Sequence, residues 1–81
     1  MNTVAITEKE FRYWQAEITR KGFTLYQETR SYNENCIDYF IEATPTVKTV
    51  VLMKQINGVG KTTFYKNTDV IGGVEWKLQK H

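Results

Sequence analysis

After Gly22 the apolar residues of this chain recur at every second position, and the links between apolar runs are only a few residues long. Strands joined that closely must be antiparallel neighbours, because a parallel crossover needs about a dozen residues or more. The expected sheet is therefore mostly a meander. Phe23 to Arg30 reads as a strand, with Phe23 and Leu25 on one side and Tyr26 on the other. Ser31 to Asn35 is turn chemistry. Cys36 to Ala43 alternates, with Ile37, Tyr39, Ile41 and Ala43 on one face and Asp38 and Glu42 on the other. Thr44, Pro45 and Thr46 interrupt the pattern. Val47 to Ile56 is long, β-branched and apolar on both sides as far as Met53, which suits a central strand. Thr62 to Asn67 follows. Val70 and Ile71 are expected to tuck inward, and Val74, Trp76 and Leu78 alternate with Glu75, Lys77 and Gln79 as a last strand.

Before Gly22 the period is helical. Thr7 is an N-cap residue with Glu10 three positions later, the capping-box spacing. Ile6 and Phe11 have the spacing of a hydrophobic staple. Phe11, Trp14 and Ile18 form one apolar stripe. Arg20 and Lys21 suit the negative helix end, and Gly22 can take the left-handed stop. The helix is predicted from about Thr7 to Lys21, with a short strand over Asn2 to Ile6. The fold class is α+β: one N-terminal helix on one face of a four- to five-stranded antiparallel meander, within one small domain, residues 1–81. Helix first and meander second resembles the cystatin-like architecture at the level of topology. The glutamine-valine-glycine loop of cystatins is not reproduced in QINGVG, which falls in a later hairpin.

The fragment QINGVGKTTFY, residues 55–65, ends like a nucleotide-binding loop. The pattern G-x-x-x-x-G-K-[ST] needs a glycine where Gln55 stands, and a helix beginning at the lysine. Thr62-Thr63-Phe64-Tyr65 are strand formers instead. Asn57-Gly58 predicts a type I′ hairpin with Gly58 at positive φ. No nucleotide, cofactor or metal is expected. A single cysteine, Cys36, and a single histidine, His81, make no zinc site and no thiol-histidine pair. Asp38 and Glu42, four residues apart on a strand, stand ~13 Å apart, beyond glycosidase-type spacing. They read as solvated charges, and the chain as a non-enzyme.

Eleven aromatic residues can supply much of a small core. One cysteine forms no internal disulfide, no signal-peptide pattern opens the chain and no apolar run reaches membrane-spanning length. The expected location is a reducing cytoplasm without membrane association. Net charge is +2. Residues 1–45 carry five basic and seven acidic groups, whereas residues 46–81 carry six lysines against Asp69 and Glu75. The basic second half, with Lys54, Lys61, Tyr65, Lys66 and Lys77, is the candidate surface if the partner is nucleic acid.

One helix of about 15 residues is ~22 Å long and covers only one face of a sheet. With Ile37, Tyr39, Ile41, Val74, Trp76 and Leu78 turned toward the helix, the other face would carry Cys36, Phe40, Val51 and Met53, with Phe64 or Tyr65. Uncovered apolar surface of that kind marks an interface. The leading expectation is a stand-alone regulator or inhibitor that docks on another protein through this face or an edge strand, or on itself as a homodimer.

Overall fold

The computed structural model describes residues 2–43 and 46–78. The order of elements is β1 (Thr3–Ile6), α1 (Glu8–Arg20), β2 (Leu25–Tyr32), β3 (Asn35–Ala43), β4 (Lys48–Ile56), β5 (Thr62–Asn67), β6 (Ile71–Gly72) and β7 (Glu75–Trp76). One helix packs on a five-stranded antiparallel sheet of strand order β1-β5-β4-β3-β2. The long apolar β4 is the middle strand, as its two-sided pattern requires. The break at Thr44-Pro45 and residue Gln79 lie outside the described residues.

Local chemistry accounts for the helix. The Thr7 hydroxyl accepts from the Glu10 amide at 3.1 Å. At the other end the Gly22 amide donates to the Thr19 carbonyl and the Phe23 amide to the Ile18 carbonyl, with Gly22 at φ 93°. That is the Schellman pattern, and it needs a residue that tolerates the left-handed region. Phe11, Trp14 and Ile18 are all buried. The capping box is only half formed, because the Glu10 carboxylate turns to Trp14 and Lys66 instead.

Pairing registers fix the faces. Phe40 lies edge-on to Phe11 (ring centroids 5.1 Å), and Phe64 is tilted against Phe11 at 4.9 Å. Phe40 pairs with Leu52 and Gln27, and Leu52 with Lys66, so these positions all face the helix. Between Phe40 and Ile41 the register shifts: Ile41 pairs with Val50, and Val51 is the extra residue of a bulge. The bulge lets consecutive residues Val51 and Leu52 both enter the core beside Trp14 and Ile18. It also disturbs the ladder there, and the Asn67 side chain donates to the Val50 carbonyl at 2.7 Å. This explains why an asparagine is buried at the end of β5.

Three expectations need correction. Ile37, Tyr39 and Ile41 do not face the helix; alternation from Phe40 places them on the opposite face. The last strand is not part of the main sheet: β6 and β7 make a separate two-stranded ribbon. Val74 stands at its tip, 86% exposed, while Trp76 and Leu78 pack on the helix-side core. In the β4–β5 hairpin, positive φ belongs to Gly60 (82°), not Gly58. The Gly60 amide donates to the Asn57 carbonyl, and the Asn57 side chain accepts from the Val59 and Lys61 amides. Gly58 is small for another reason: a Cβ there would meet the Glu34 carboxylate at 2.9 Å, and its amide donates to the Asn35 side chain. Both Gly60→Val and Gly58→Val are expected to lower the melting temperature, the first through backbone strain and the second through crowding. Lys61→Ala should leave the stability within about 0.5 kcal/mol of wild type. Circular-dichroism melts of the three variants check this.

Candidate sheet-face interface

The helix side of the sheet is covered twice, by α1 and by the β6–β7 ribbon. The ribbon docks through Val70 and Ile71, both buried, and through a ring contact of Trp76 with Phe23 at 5.2 Å. Across that side run two ionic networks. Lys66, nearly buried, donates from Nζ to the Glu10 carboxylate and to the Gly73 carbonyl, each at 2.8 Å. The same carboxylate oxygen accepts from the Trp14 indole at 3.2 Å. The hydrogen bond from Lys66 holds the Glu10 carboxyl below its ordinary value, against the opposing effect of burial. Asp38, also buried, accepts from the Thr29 hydroxyl at 2.7 Å and pairs with Lys54 at 3.3 Å. The Thr29 hydrogen bond, with Lys54 behind it, lowers its pKa. Asp38 is thus not the solvated charge its strand pattern suggested. The Cys36 thiol lies 3.9 Å from the same carboxylate, beside the network and half-buried.

A cleft of about 560 Å³ opens between α1 and the hairpin end of the sheet, floored by Phe11, Phe40 and Phe64. Its charged rim is already neutralised. Arg12 pairs with Glu8 at 2.8 Å and Lys54 with Asp38. Among the described residues no group of three or more His, Cys, Asp or Glu side chains could hold a metal ion. No helix among them is long and apolar enough to cross a membrane.

Among the described residues no second layer covers the opposite face. Ile37, Tyr39 and Ile41 of β3, Val50 and Met53 of β4 and Tyr65 of β5 meet there in register, Tyr39 against Met53 and Met53 against Tyr65. These side chains are half-buried among themselves, apart from Ile41, which is buried. At the β2 margin, Arg30 lies 5.5 Å from the Tyr39 ring centroid and Lys48 pairs with Glu28 at 3.1 Å, giving the apolar patch a polar border. An apolar centre with a charged rim is the anatomy of a protein interface.

Of the six interface candidates, Met53 and Tyr65 lie on this face. Phe40, Val51 and Phe64 lie beneath the helix, Val51 with no exposure, and Cys36 is at the helix-side end of β3. Ile37, Tyr39 and Val50 were missed as residues of this face, and Ile41, on the same face, is buried. Their alternation identified a face, but the most apolar face was assigned to the helix. The nucleic-acid candidates are not brought together. Lys66 and Lys54 are paired on the helix side, Tyr65 is on the open side, Lys61 is at the hairpin turn, and Lys77 reaches the Thr68 carbonyl at 3.4 Å. The chain matches no protein-family model, no curated protein and no solved structure.

Proposed function

We propose that the protein is a non-enzymatic binding module that docks on another protein through the open face of its sheet. The observation that supports this reading is the in-register patch of Ile37, Tyr39, Val50, Met53 and Tyr65, which no second layer among the described residues covers. Half-exposed apolar side chains gathered on one uncovered sheet face fit a contact site. The role that fits a chain with one such face is a regulator or inhibitor acting by occupation of its target.

Met53→Lys and Tyr65→Glu place a charge at the centre of the patch without touching the helix-side core. In pull-downs from the native cell, with and without nuclease, wild type is expected to retain a nuclease-resistant protein partner. Both variants should lose it at least tenfold, as central interface residues do, while their melts stay close to wild type. Retention unaffected by both substitutions would overturn the face. Capture lost on nuclease treatment and in Lys61→Ala or Lys77→Ala would favour a nucleic-acid partner instead.

A further inference from the structure

β2 is an outer strand of the sheet, eight residues long and paired with β3 without a register shift. It contains no proline or glycine, and no bulge interrupts it. The opposite edge, β1, has only four residues. Long, regular edges are templates for strand addition unless a protein blunts them, and β2 has no proline, bulge or short length to do so; its only charged side chains, Glu28 and Arg30, are of opposite sign. On the open face it presents Tyr26, Glu28, Arg30 and Tyr32 in succession, with Gln27, Thr29 and Ser31 on the other side. Tyr26 and Tyr32 are 53% and 55% exposed. No other aromatic on the main sheet is exposed to this degree among the described residues.

We propose that β2 pairs antiparallel with β2 of a second copy of this chain, in the register centred on Thr29, to make one continuous ten-stranded sheet. The proposal rests on the binding-module reading, because it joins two open faces into a single larger one. The register follows from charge. In a two-fold pair the side chains that meet must lie on the same face, so the centre falls on a residue. Centred on Glu28, the carboxylate would oppose itself; centred on Arg30, the guanidinium would. Centred on Thr29, each Glu28 stands opposite Arg30 of the second copy and each Tyr26 opposite Tyr32 of the second copy. Opposite charges and aromatic pairs directly across an antiparallel ladder stabilise it, and like charges weaken it. The two charged pairs occupy the middle of the contact and the tyrosines its ends, where they are most exposed now. Glu28 keeps Lys48 as a further partner, so the charges form a network. The two-fold closes the contact, leaving only the short β1 edges at the outside.

The test is sedimentation equilibrium on the full chain with reciprocal charge changes, each variant checked for wild-type melting. Wild type is expected to dimerise at micromolar concentration. Glu28→Arg and Arg30→Glu alone should each weaken the dimer about ten- to a hundredfold, since both central pairs become repulsive. The double variant Glu28→Arg/Arg30→Glu should recover the dimer, and an equimolar mixture of the two single variants should form a heterodimer. A monomer at high concentration, or a dimer indifferent to the single changes, overturns the proposal. A dimer lost in Met53→Lys but intact in Arg30→Glu also overturns it, while leaving the sheet-face reading standing. Loss of partner capture in Met53→Lys with the charge-swap pattern intact supports both.

Discussion

Trp14→Ala should be among the most destabilising single substitutions in the chain, costing at least about a quarter of its stability. Trp14 is 1% exposed and sits between the helix and the bulged part of β4. Truncating a buried tryptophan costs about 3–5 kcal/mol. At roughly 0.05–0.15 kcal/mol per residue, a chain of this length has about 4–12 kcal/mol in all. The loss is therefore about a quarter of the total at least, and most or all of it at the lower bound. The indole N–H also leaves the Glu10 carboxylate. Tyr13, its neighbour, is 51% exposed and meets the Trp14 ring edge-on at 5.2 Å. Tyr13→Ala should cost about 1 kcal/mol. Urea unfolding of both variants decides it: equal losses would mean that the core is not centred on the helix stripe.

The second large effect concerns Glu10 and Lys66. Glu10→Ala leaves a nearly buried ammonium with only the Gly73 carbonyl. Breaking a buried pair costs about 3–5 kcal/mol. Glu10 is partly exposed, so water compensates some of this and about 2–3 kcal/mol is the expected loss. Replacing both partners, as Glu10→Leu/Lys66→Met, should recover most of it, because no charge is then left unpaired. The pair also predicts acid sensitivity. The native Glu10 and Asp38 pKa values are lowered, so the unfolded chain binds more protons once pH falls into the ordinary carboxylate range. Stability should hold above that range and fall below about pH 4. The gap between wild type and Glu10→Gln should narrow in acid, where wild-type Glu10 is itself neutral. Denaturant melts across that interval check the sign; a gap that widens in acid would contradict the pairing.

Much of the fold was readable because its signals are local. The cap at Thr7, the stripe Phe11-Trp14-Ile18 and the stop at Gly22 concern residues a few positions apart. Short links force antiparallel pairing whatever the rest of the chain does. The two-sided apolar run of β4 marks a strand with covered neighbours on both sides, and it lies at the centre of the sheet. The hairpin over residues 57–61 was legible as a turn, but not which glycine takes positive φ. Gly58 is held small by Glu34 of the adjoining hairpin, a contact across 24 residues of sequence.

The candidate site was legible only in part. Alternation separates Phe40 from Ile41 but is silent on which of the two is covered. That choice depends on where α1 docks and on the return of the β6–β7 ribbon to the same side. Both covers went to the Phe40 side, so Ile37 and Tyr39 of the more apolar row were left half-exposed, while Ile41 is buried among its neighbours. The bulge at Val51 moved a residue across the sheet without a glycine to announce it. Asp38 and Lys66 look like surface charges in the strand pattern; each is buried because Thr29, Lys54, Glu10 and Gly73 arrive from other elements with matching groups. Sequence by itself determined the helix, the antiparallel run from β2 to β5 and the existence of one face that a single helix could not cover; the separate β6–β7 ribbon was not legible in it. Tertiary structure alone decided which face that is, because periodicity carries relative parity along a strand, and absolute sidedness comes from long-range docking.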